Sequence, residues 1–184
     1  MSTNWKTRVE ELNLSKQHLT ILENLEGLVN LRIANFSHNR LESMYGLQEC
    51  KHLEELNFEH NLITKITGLR NLSKLQKLEL GINKITKIEN LENKKDLLNM
   101  SLEDNKILTL ENFPNLPNLM ELYLGNNNLK NIKEIKNIKG LNKLIILCIS
   151  GNALTKDLNY RTYVIFNFSK LKVLDGIPIE QHEQ

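Results

Sequence analysis

The sequence predicts one α/β domain, a solenoid with a parallel sheet on its concave side and 3₁₀ or short helical turns on its convex side. Two observations predict it. An apolar pattern recurs every 22 residues along most of the chain. The composition, 40% hydrophobic and 25% charged in 184 residues with a net charge of +2, suits a globular chain with one core rather than a disordered chain.

The repeat has the spacing L-x-x-L-x-L-x-x-N-x-L. Its units begin, with five steps of 22 residues, one of 25 and a last partial unit, at Val9, Leu31, Leu53, Leu75, Leu97, Leu119, Leu144 and Leu171. Chance does not produce five identical steps. Because one unit cannot bury its own apolar side, a period of this length indicates units that stack on a continuous core.

The positions within a unit predict its elements. Positions four and six have the period of two of a short strand. Positions eleven, fourteen, seventeen and twenty step by three, which suits a tight 3₁₀-like return with one apolar edge. Position nine carries an amide that can satisfy buried backbone groups where the chain leaves the strand. The amides at position nine are Gln17, Asn39, Asn61, Asn83, Asn105, Asn127 and Asn152.

Three positions depart from the leucine pattern. Phe36 and Phe58 occupy position six in neighbouring units and predict a locally wider core. Ala34 replaces a large residue at position four. Lys94 stands at position twenty, which is an apolar position in other units, and predicts a less well packed return in that unit.

The two ends of the stack need covers. Residues 1–8 form a short N-terminal cover, in which we expect Trp5 to pack over the edge of the first unit, unless further protein or a partner lies there. Residues 9–152 are the repeats and residues 153–184 the C-terminal cap. We expect a helix over residues 157–170, begun by Thr155 or Asp157 and with an apolar face made of Leu158, Val164, Ile165 and Phe168.

These patterns identify the chain as a leucine-rich repeat protein, similar over about residues 9–176 to the 22-residue class of the regulatory subunit of protein phosphatase 1. Residues 159–165 and 171–176 resemble the cap of intracellular members, such as U2 ribonucleoprotein A-prime and several ciliary proteins. The proline that usually precedes the final strand is replaced here by Phe168-Ser169.

Side chains at positions three, five and seven face outward from the sheet, with position two at its margin. The middle of this face is acidic, and we expect its binding residues to be Glu55, Glu59, Glu79, Glu103 and Glu121. The C-terminal third is apolar, with Leu98, Met120, Tyr123, Ile145, Ile146 and Cys148. An apolar patch with an acidic rim indicates a protein-binding surface, unless the cap or a following segment covers it. Tyr123 is the leading hot-spot candidate.

The sequence shows no phosphate loop, paired metal motif or nucleophile elbow, so we expect no enzyme activity and no cofactor. His38 and His60 share position eight in adjacent units, where a metal site is an alternative to ordinary exposed histidines. Cys50 falls in a core column and Cys148 on the outer face, so we expect both to be reduced. The lysine-rich loops predict a solvated face, with phosphate binding as an alternative.

The resemblance implies a non-enzymatic scaffold that binds a protein partner on its concave face, and a larger ciliary or cytoskeletal protein is the context that it suggests. The alternatives are a regulatory subunit of protein phosphatase 1 and a component of a ribonucleoprotein assembly. Near-neutral charge and the acidic sheet predict no direct nucleic-acid binding and no membrane binding. The expected location is cytoplasmic, with ciliary and nuclear contexts open. The oligomeric state is left open.

Overall fold

A computed structural model describes residues 5–183, so the first four residues of the predicted N-terminal cover, and Gln184 of the cap, lie outside the described residues. Among the described residues, no helix is both long and apolar enough to span a bilayer.

Within residues 5–183, nine strands form one sheet in chain order, and all neighbours are parallel except the last pair. Each strand lies one repeat from the next, as the pairing of Glu11 with Ile33 and of Ile33 with Glu55 shows. The predicted solenoid is therefore confirmed. The strands are β1 Glu11–Asn13, β2 Ile33–Asn35, β3 Glu55–Asn57, β4 Lys77–Glu79, β5 Asn99–Ser101, β6 Glu121–Tyr123, β7 Ile146–Cys148, β8 Val173–Leu174 and β9 Ile177–Pro178.

The core lies behind the sheet and is built from the predicted apolar columns. Leu56 and Phe58, at positions four and six, are fully buried in the third unit. The rings of Phe36 and Phe58 stack with centroids 5.2 Å apart, and Ala34 beside them is buried too. The two phenylalanines therefore pack as one aromatic pair across adjacent units.

The return segments use the tight geometry that the three-residue steps predict. In the second unit, Cys50 N donates to Leu47 O at 3.0 Å and Leu53 N to Cys50 O at 3.1 Å, a 3₁₀-type pattern. The unit that begins at Leu119 is 25 residues long. It contains a full 3₁₀ helix at Ile132–Ile138, which lies in the lengthened return.

The predicted column of buried amides at position nine is present in the six units from Asn39 to Asn152, whereas Gln17 in the first unit is exposed and its side chain bonds only to Ser15 O. In the third unit, Asn61 Oδ1 accepts from Leu41 N at 3.0 Å, while Asn61 Nδ2 donates to Phe36 O and Phe58 O, both at 3.0 Å. The six asparagines at position nine, Asn39, Asn61, Asn83, Asn105, Asn127 and Asn152, are all buried. Each side chain thus joins its own turn to the preceding unit.

Two columns of left-handed backbone were not predicted. The first occupies position eight, with φ between 51° and 58° at Lys16, His38, His60, Ile82, Asp104 and Asn126. The second occupies position sixteen, at Asn24, Gly46, Gly68, Asn90 and Asn112. Gly68 is also constrained by space, because a Cβ there would lie 2.9 Å from Met44 O. The signal in the sequence was the run of asparagine and glycine at position sixteen.

The helix in the C-terminal cap is shorter than the sequence predicts. Helix α1 covers Tyr160–Asn167 and follows a 3₁₀ helix at Ala153–Lys156. Val164, Ile165 and Phe168 are buried as expected, but Leu158 is fully exposed, so its assignment to the apolar face is wrong. Leu158 lies in the turn before α1, where Asp157 Oδ1 accepts from Asn159 N at 2.9 Å and holds the chain out of the helix.

The expectation for Trp5 is also wrong. Trp5 begins a 3₁₀ helix at Trp5–Arg8 and is 65% exposed. Lys6 covers the first unit instead, because its ammonium donates to Asn24 O at 3.0 Å and to Glu26 O at 2.8 Å. Two backbone carbonyls therefore fix Lys6, whereas the indole lies in solvent.

Lys94 is buried at position twenty. Its side chain has no exposed surface, and its Nζ has no hydrogen-bond partner among residues 5–183. Burial lowers the pKa of Lys94, with a smaller opposing effect from Glu92. The sequence predicts a less well packed return in this unit, and the structure has an unpaired buried amine there.

Candidate functional site

The candidate site is the outward face of strands β1–β7, which we call the concave face. The register places position three opposite position three and position five opposite position five throughout. Tyr123 thus lies between Ser101 and Cys148, and Glu121 lies between Asn99 and Ile146. Neighbouring strands lie about 4.8 Å apart, so these side chains form one continuous surface.

The predicted apolar residues come together on β5–β7 and their margins. At the margin, Met120 N donates to Leu98 O and Ile145 N donates to Met120 O, both at 2.8 Å. Leu98 is 39% and Met120 38% exposed. We call the following set the apolar patch: Leu98, Met120, Tyr123, Ile145, Ile146 and Cys148; its last four members are partly exposed.

Tyr123 is held in place by its neighbours. Its hydroxyl donates to Glu121 Oε2 at 2.9 Å, and Asn99 Nδ2 donates to the same oxygen at 2.6 Å. Burial and the hydrogen bond to Glu121 raise the pKa of Tyr123 to about 12. The phenol therefore stays a neutral donor over the physiological range, and its ring is fixed against the sheet.

Cys148 and Glu103 meet at the opposite border of the apolar patch. Cys148 Sγ lies 3.4 Å from Glu103 Oε1 and 3.3 Å from Ser150 Oγ. The pKa of Cys148 is raised, chiefly by burial, so the residue is a neutral thiol. Gly125 leaves room for the carboxylate, because a Cβ there would lie 2.9 Å from Glu103 Oε1.

The five predicted glutamates lie in three places on the concave face. Glu103 and Glu121 border the apolar patch directly, and Glu79 lies on β4 with its carboxylate 3.2 Å from Lys77 Nζ. Glu55 and Glu59 belong to β3 and its end, two strands before β5, so they lie apart from the patch. Neither Glu55 nor Glu59 has a side-chain hydrogen bond or ion pair among the described residues.

Basic residues offset part of the acidic face. Arg32 makes a two-point ion pair with Glu54, at 3.0 and 2.8 Å, which lowers the pKa of Glu54 and raises the pKa of Arg32. Lys77 similarly faces Glu79. The carboxylates that remain unpaired among the described residues of this face lie on β1, at Glu11, on β3 and around the apolar patch.

Position five carries asparagine in three successive units, Asn13, Asn35 and Asn57, on adjacent strands. Each Oδ1 accepts from the backbone N–H two residues later, at 3.0, 2.9 and 2.8 Å respectively. We call these three side chains the amide ladder. No functional role for it was predicted from the sequence, although the identical residue in three consecutive units was the available signal.

The two histidines at position eight approach each other as the sequence allows. The rings of His38 and His60 lie with centroids 4.7 Å apart and planes 30° apart. Between residues 5 and 183, no three His, Cys, Asp or Glu side chains are grouped to hold a metal.

Comparison with known proteins gives the same fold. A family model described as leucine-rich repeat matches residues 71–184, and one described as leucine-rich repeats in two copies matches residues 29–71. Among solved structures, the TLR13–ssRNA13 complex has a TM-score of 0.76 at 29% identity over 90% of this chain.

Two proteins of Listeria monocytogenes are also similar. The functional domain of InlJ has a TM-score of 0.69 at 22% identity over 95% of this chain, and an internalin, InlF, has 0.67 at 19% over 92%. At these identities the likeness concerns the fold alone. This chain covers 61% of the InlF chain, 40% of the InlJ domain and 24% of TLR13.

Proposed function

The chain belongs to the leucine-rich repeat family, and from that premise we propose that it is a non-enzymatic scaffold that binds a protein partner on its concave face. Proteins with this fold are typically interaction modules, and the matching families indicate no catalytic activity. The partner class, the use of the concave face for binding and the cellular setting are proposals.

The apolar patch is the observation that carries the proposal. Exposed apolar side chains on a soluble domain are usually scattered, whereas here Leu98, Met120 and Ile145 follow one another on hydrogen-bonded neighbouring segments. Tyr123 and Ile146 lie beside them on β6 and β7. A contiguous patch of this kind with polar groups at its border favours a protein interface.

The physical basis of binding is a surface that is already ordered. Tyr123 is fixed through Glu121, and Glu121 is fixed through Asn99, so little side-chain entropy is lost when a partner docks. Glu103 and Glu121 place carboxylates at the border, which favours a partner with basic residues around an apolar anchor.

A capture experiment from cell extract, read by mass spectrometry, tests the proposal. The bait is the wild-type chain beside a Tyr123→Ala/Ile146→Asp variant. The matched control is Tyr45→Ala/Leu108→Asp, which likewise replaces a tyrosine by alanine and an aliphatic residue by aspartate, at exposed residues off the concave face. Circular dichroism checks that all baits are folded. We expect proteins retained by wild type and control to be lost with the concave variant. Equal capture by all three baits would refute the proposal.

The cellular setting stays a proposal of its own. The 22-residue units and the cap motif favour a cytoplasmic, ciliary or nuclear scaffold, with ciliary or cytoskeletal assemblies as first choice. A protein phosphatase 1 catalytic subunit or a ribonucleoprotein component among the captured proteins would favour the corresponding alternative. The similar structure of TLR13 is a complex with ssRNA13, but free carboxylates on this concave face disfavour direct contact with phosphates.

A further inference from the structure

The amide ladder presents free hydrogen-bond donors in a fixed direction. The Oδ1 atoms of Asn13, Asn35 and Asn57 are engaged by the N–H groups of Ser15, Ser37 and Glu59. Because this bond fixes the plane of each amide, it also fixes where each Nδ2 points. None of the three Nδ2 groups has a hydrogen-bond partner among residues 5–183, so their N–H groups remain available to a ligand.

The ladder is confined to β1–β3, where it lies in register. Asn13 pairs with Asn35, and Asn35 with Asn57. The next residue in the same row is Glu79. Asn35 and Asn57 also line a hollow of about 150 Å³ together with Glu55 and Glu79. Three parallel amides beside a hollow form a surface that is separate from the apolar patch.

The spacing of the donors suits a peptide backbone without internal hydrogen bonds. Strands lie about 4.8 Å apart, so the first and third amides are separated by about 9.6 Å. In a polyproline II segment, carbonyls three residues apart lie on the same side and about 9.3 Å apart. Such a segment has no internal hydrogen bonds, so its carbonyls can accept from the ladder.

The charges beside the ladder favour basic side chains on that segment. Glu55 is exposed and Glu59 is half-buried, and neither carboxylate is paired within the described part of the chain. The nearby cations are already engaged, Arg32 by Glu54 and Lys77 by Glu79. Free carboxylates attract lysine and arginine and repel phosphate groups, so a peptide suits this surface better than a nucleic acid.

We infer that the amide ladder binds the main chain of a basic peptide segment in an extended, polyproline II conformation. The Nδ2 groups of Asn13 and Asn57 donate to two carbonyls three residues apart on one side of the segment, and Glu55 and Glu59 pair with its basic side chains. The inference rests on the proposed function, since it takes the concave face to be a protein-binding surface. It adds a second contact area and the chemistry of the segment that occupies it.

Selection from a phage-displayed library of random dodecapeptides tests the inference, with the whole chain as the immobilised target. Selected sequences are made as fluorescein-labelled peptides, and their dissociation constants are measured by fluorescence polarisation. The decisive variant is Asn13→Asp/Asn57→Asp. An aspartate keeps the oxygen that accepts from Ser15 N or Glu59 N, but it removes the Nδ2 donors. The control is Asn115→Asp/Asn142→Asp, which adds the same two charges at exposed positions off the concave face.

We expect selected peptides to be enriched in lysine and arginine, and to bind the ladder variant about tenfold or more weakly than wild type and control. Two added carboxylates alone would tighten the binding of a basic peptide, so weaker binding identifies the lost donors. No enrichment of basic sequences, or equal or tighter binding to the ladder variant, would overturn the inference. Failure of the proposed function would be seen separately, as unchanged capture by the Tyr123→Ala/Ile146→Asp bait.

Discussion

The hydroxyl of Tyr160 donates a 2.8 Å hydrogen bond to Asp175 Oδ2, which ties helix α1 to the turn after β8. The other oxygen of Asp175 accepts from Ile149 N at 2.7 Å and from Ser150 N at 2.9 Å. One carboxylate therefore joins α1 and the turn after β8, both in the C-terminal cap, to the end of β7 in the last repeat. Burial, followed by the charge of Asp175, raises the pKa of Tyr160 far above its usual value, so the phenol remains a donor.

Replacement of Tyr160 by phenylalanine tests the strength of this link. A hydrogen bond to a charged group contributes about 1.5–3 kcal/mol, and we expect Tyr160→Phe to lower the free energy of unfolding by about that amount in urea titrations. Tyr163→Phe is the control, because the Tyr163 hydroxyl has no partner among the described residues. Equal stability of the two variants would show that the link contributes little.

The sequence was sufficient for the repeat architecture because each unit is constrained in the same way. Leu56 and Phe58 at positions four and six must face one side of a strand, and Asn61 at position nine meets the same backbone groups as Asn39 and Asn83. A column is predictable when the same local geometry recurs in every unit.

Features that occur once were less predictable. Leu158 is apolar and close to α1, yet its exposure depends on the turn that Asp157 makes with Asn159. Trp5 is displaced by Lys6, which binds two carbonyls. On the concave face, alternation placed Tyr123 correctly on the surface, but its bond to Glu121 depends on side-chain rotamers that periodicity does not specify.

Truncation of a buried asparagine side chain at position nine should cause a large loss of stability. Asn83 Oδ1 accepts from Ile63 N at 3.0 Å, and Asn83 Nδ2 donates to Phe58 O at 3.0 Å and to Leu80 O at 3.1 Å. We expect Asn83→Ala to lower the free energy of unfolding by about 2–4 kcal/mol, because several buried backbone groups lose their partner.

The first unit supplies the control for Asn83. Gln17 occupies the same position but is exposed, and its side chain bonds only locally, from Nε2 to Ser15 O at 3.1 Å. Gln17→Ala should change the free energy of unfolding by less than about 0.5 kcal/mol. A loss at Gln17 that matched the loss at Asn83 would argue against the buried ladder as the cause.

Ile82 is the one β-branched residue in the left-handed column at position eight, with φ at 51°. A left-handed conformation costs a residue with a branched side chain about 1–2 kcal/mol, and asparagine tolerates it better. We expect Ile82→Asn to raise the melting temperature, measured by differential scanning calorimetry. The reverse exchange in the same column, Asn126→Ile, should lower the melting temperature. A lower melting temperature for Ile82→Asn would show that the backbone of Ile82 is not strained.

Lys94 makes the stability of the chain depend on pH. Its amine is buried without a partner among the described residues, and an unsatisfied buried group costs about 1–3 kcal/mol, or more when charged. Lys94→Leu restores the apolar residue that Leu72 and Leu116 supply at position twenty. We therefore expect this variant to be more stable than wild type at neutral pH, by about 1–3 kcal/mol in urea titrations.

The pH dependence separates the charge of Lys94 from its packing. The pKa of the amine is lowered by burial from its ordinary value of 10.5, so between the folded and unfolded pKa values the unfolded chain binds more protons. Wild-type stability must then rise with pH across that window. Because Lys94→Leu lacks the titrating group, we expect its advantage over wild type to be largest at neutral pH and to shrink as pH approaches 10.5. An advantage that stayed constant between pH 7 and 10 would assign the whole effect to packing, and Lys95→Leu, at an exposed neighbour, should show no advantage at either pH.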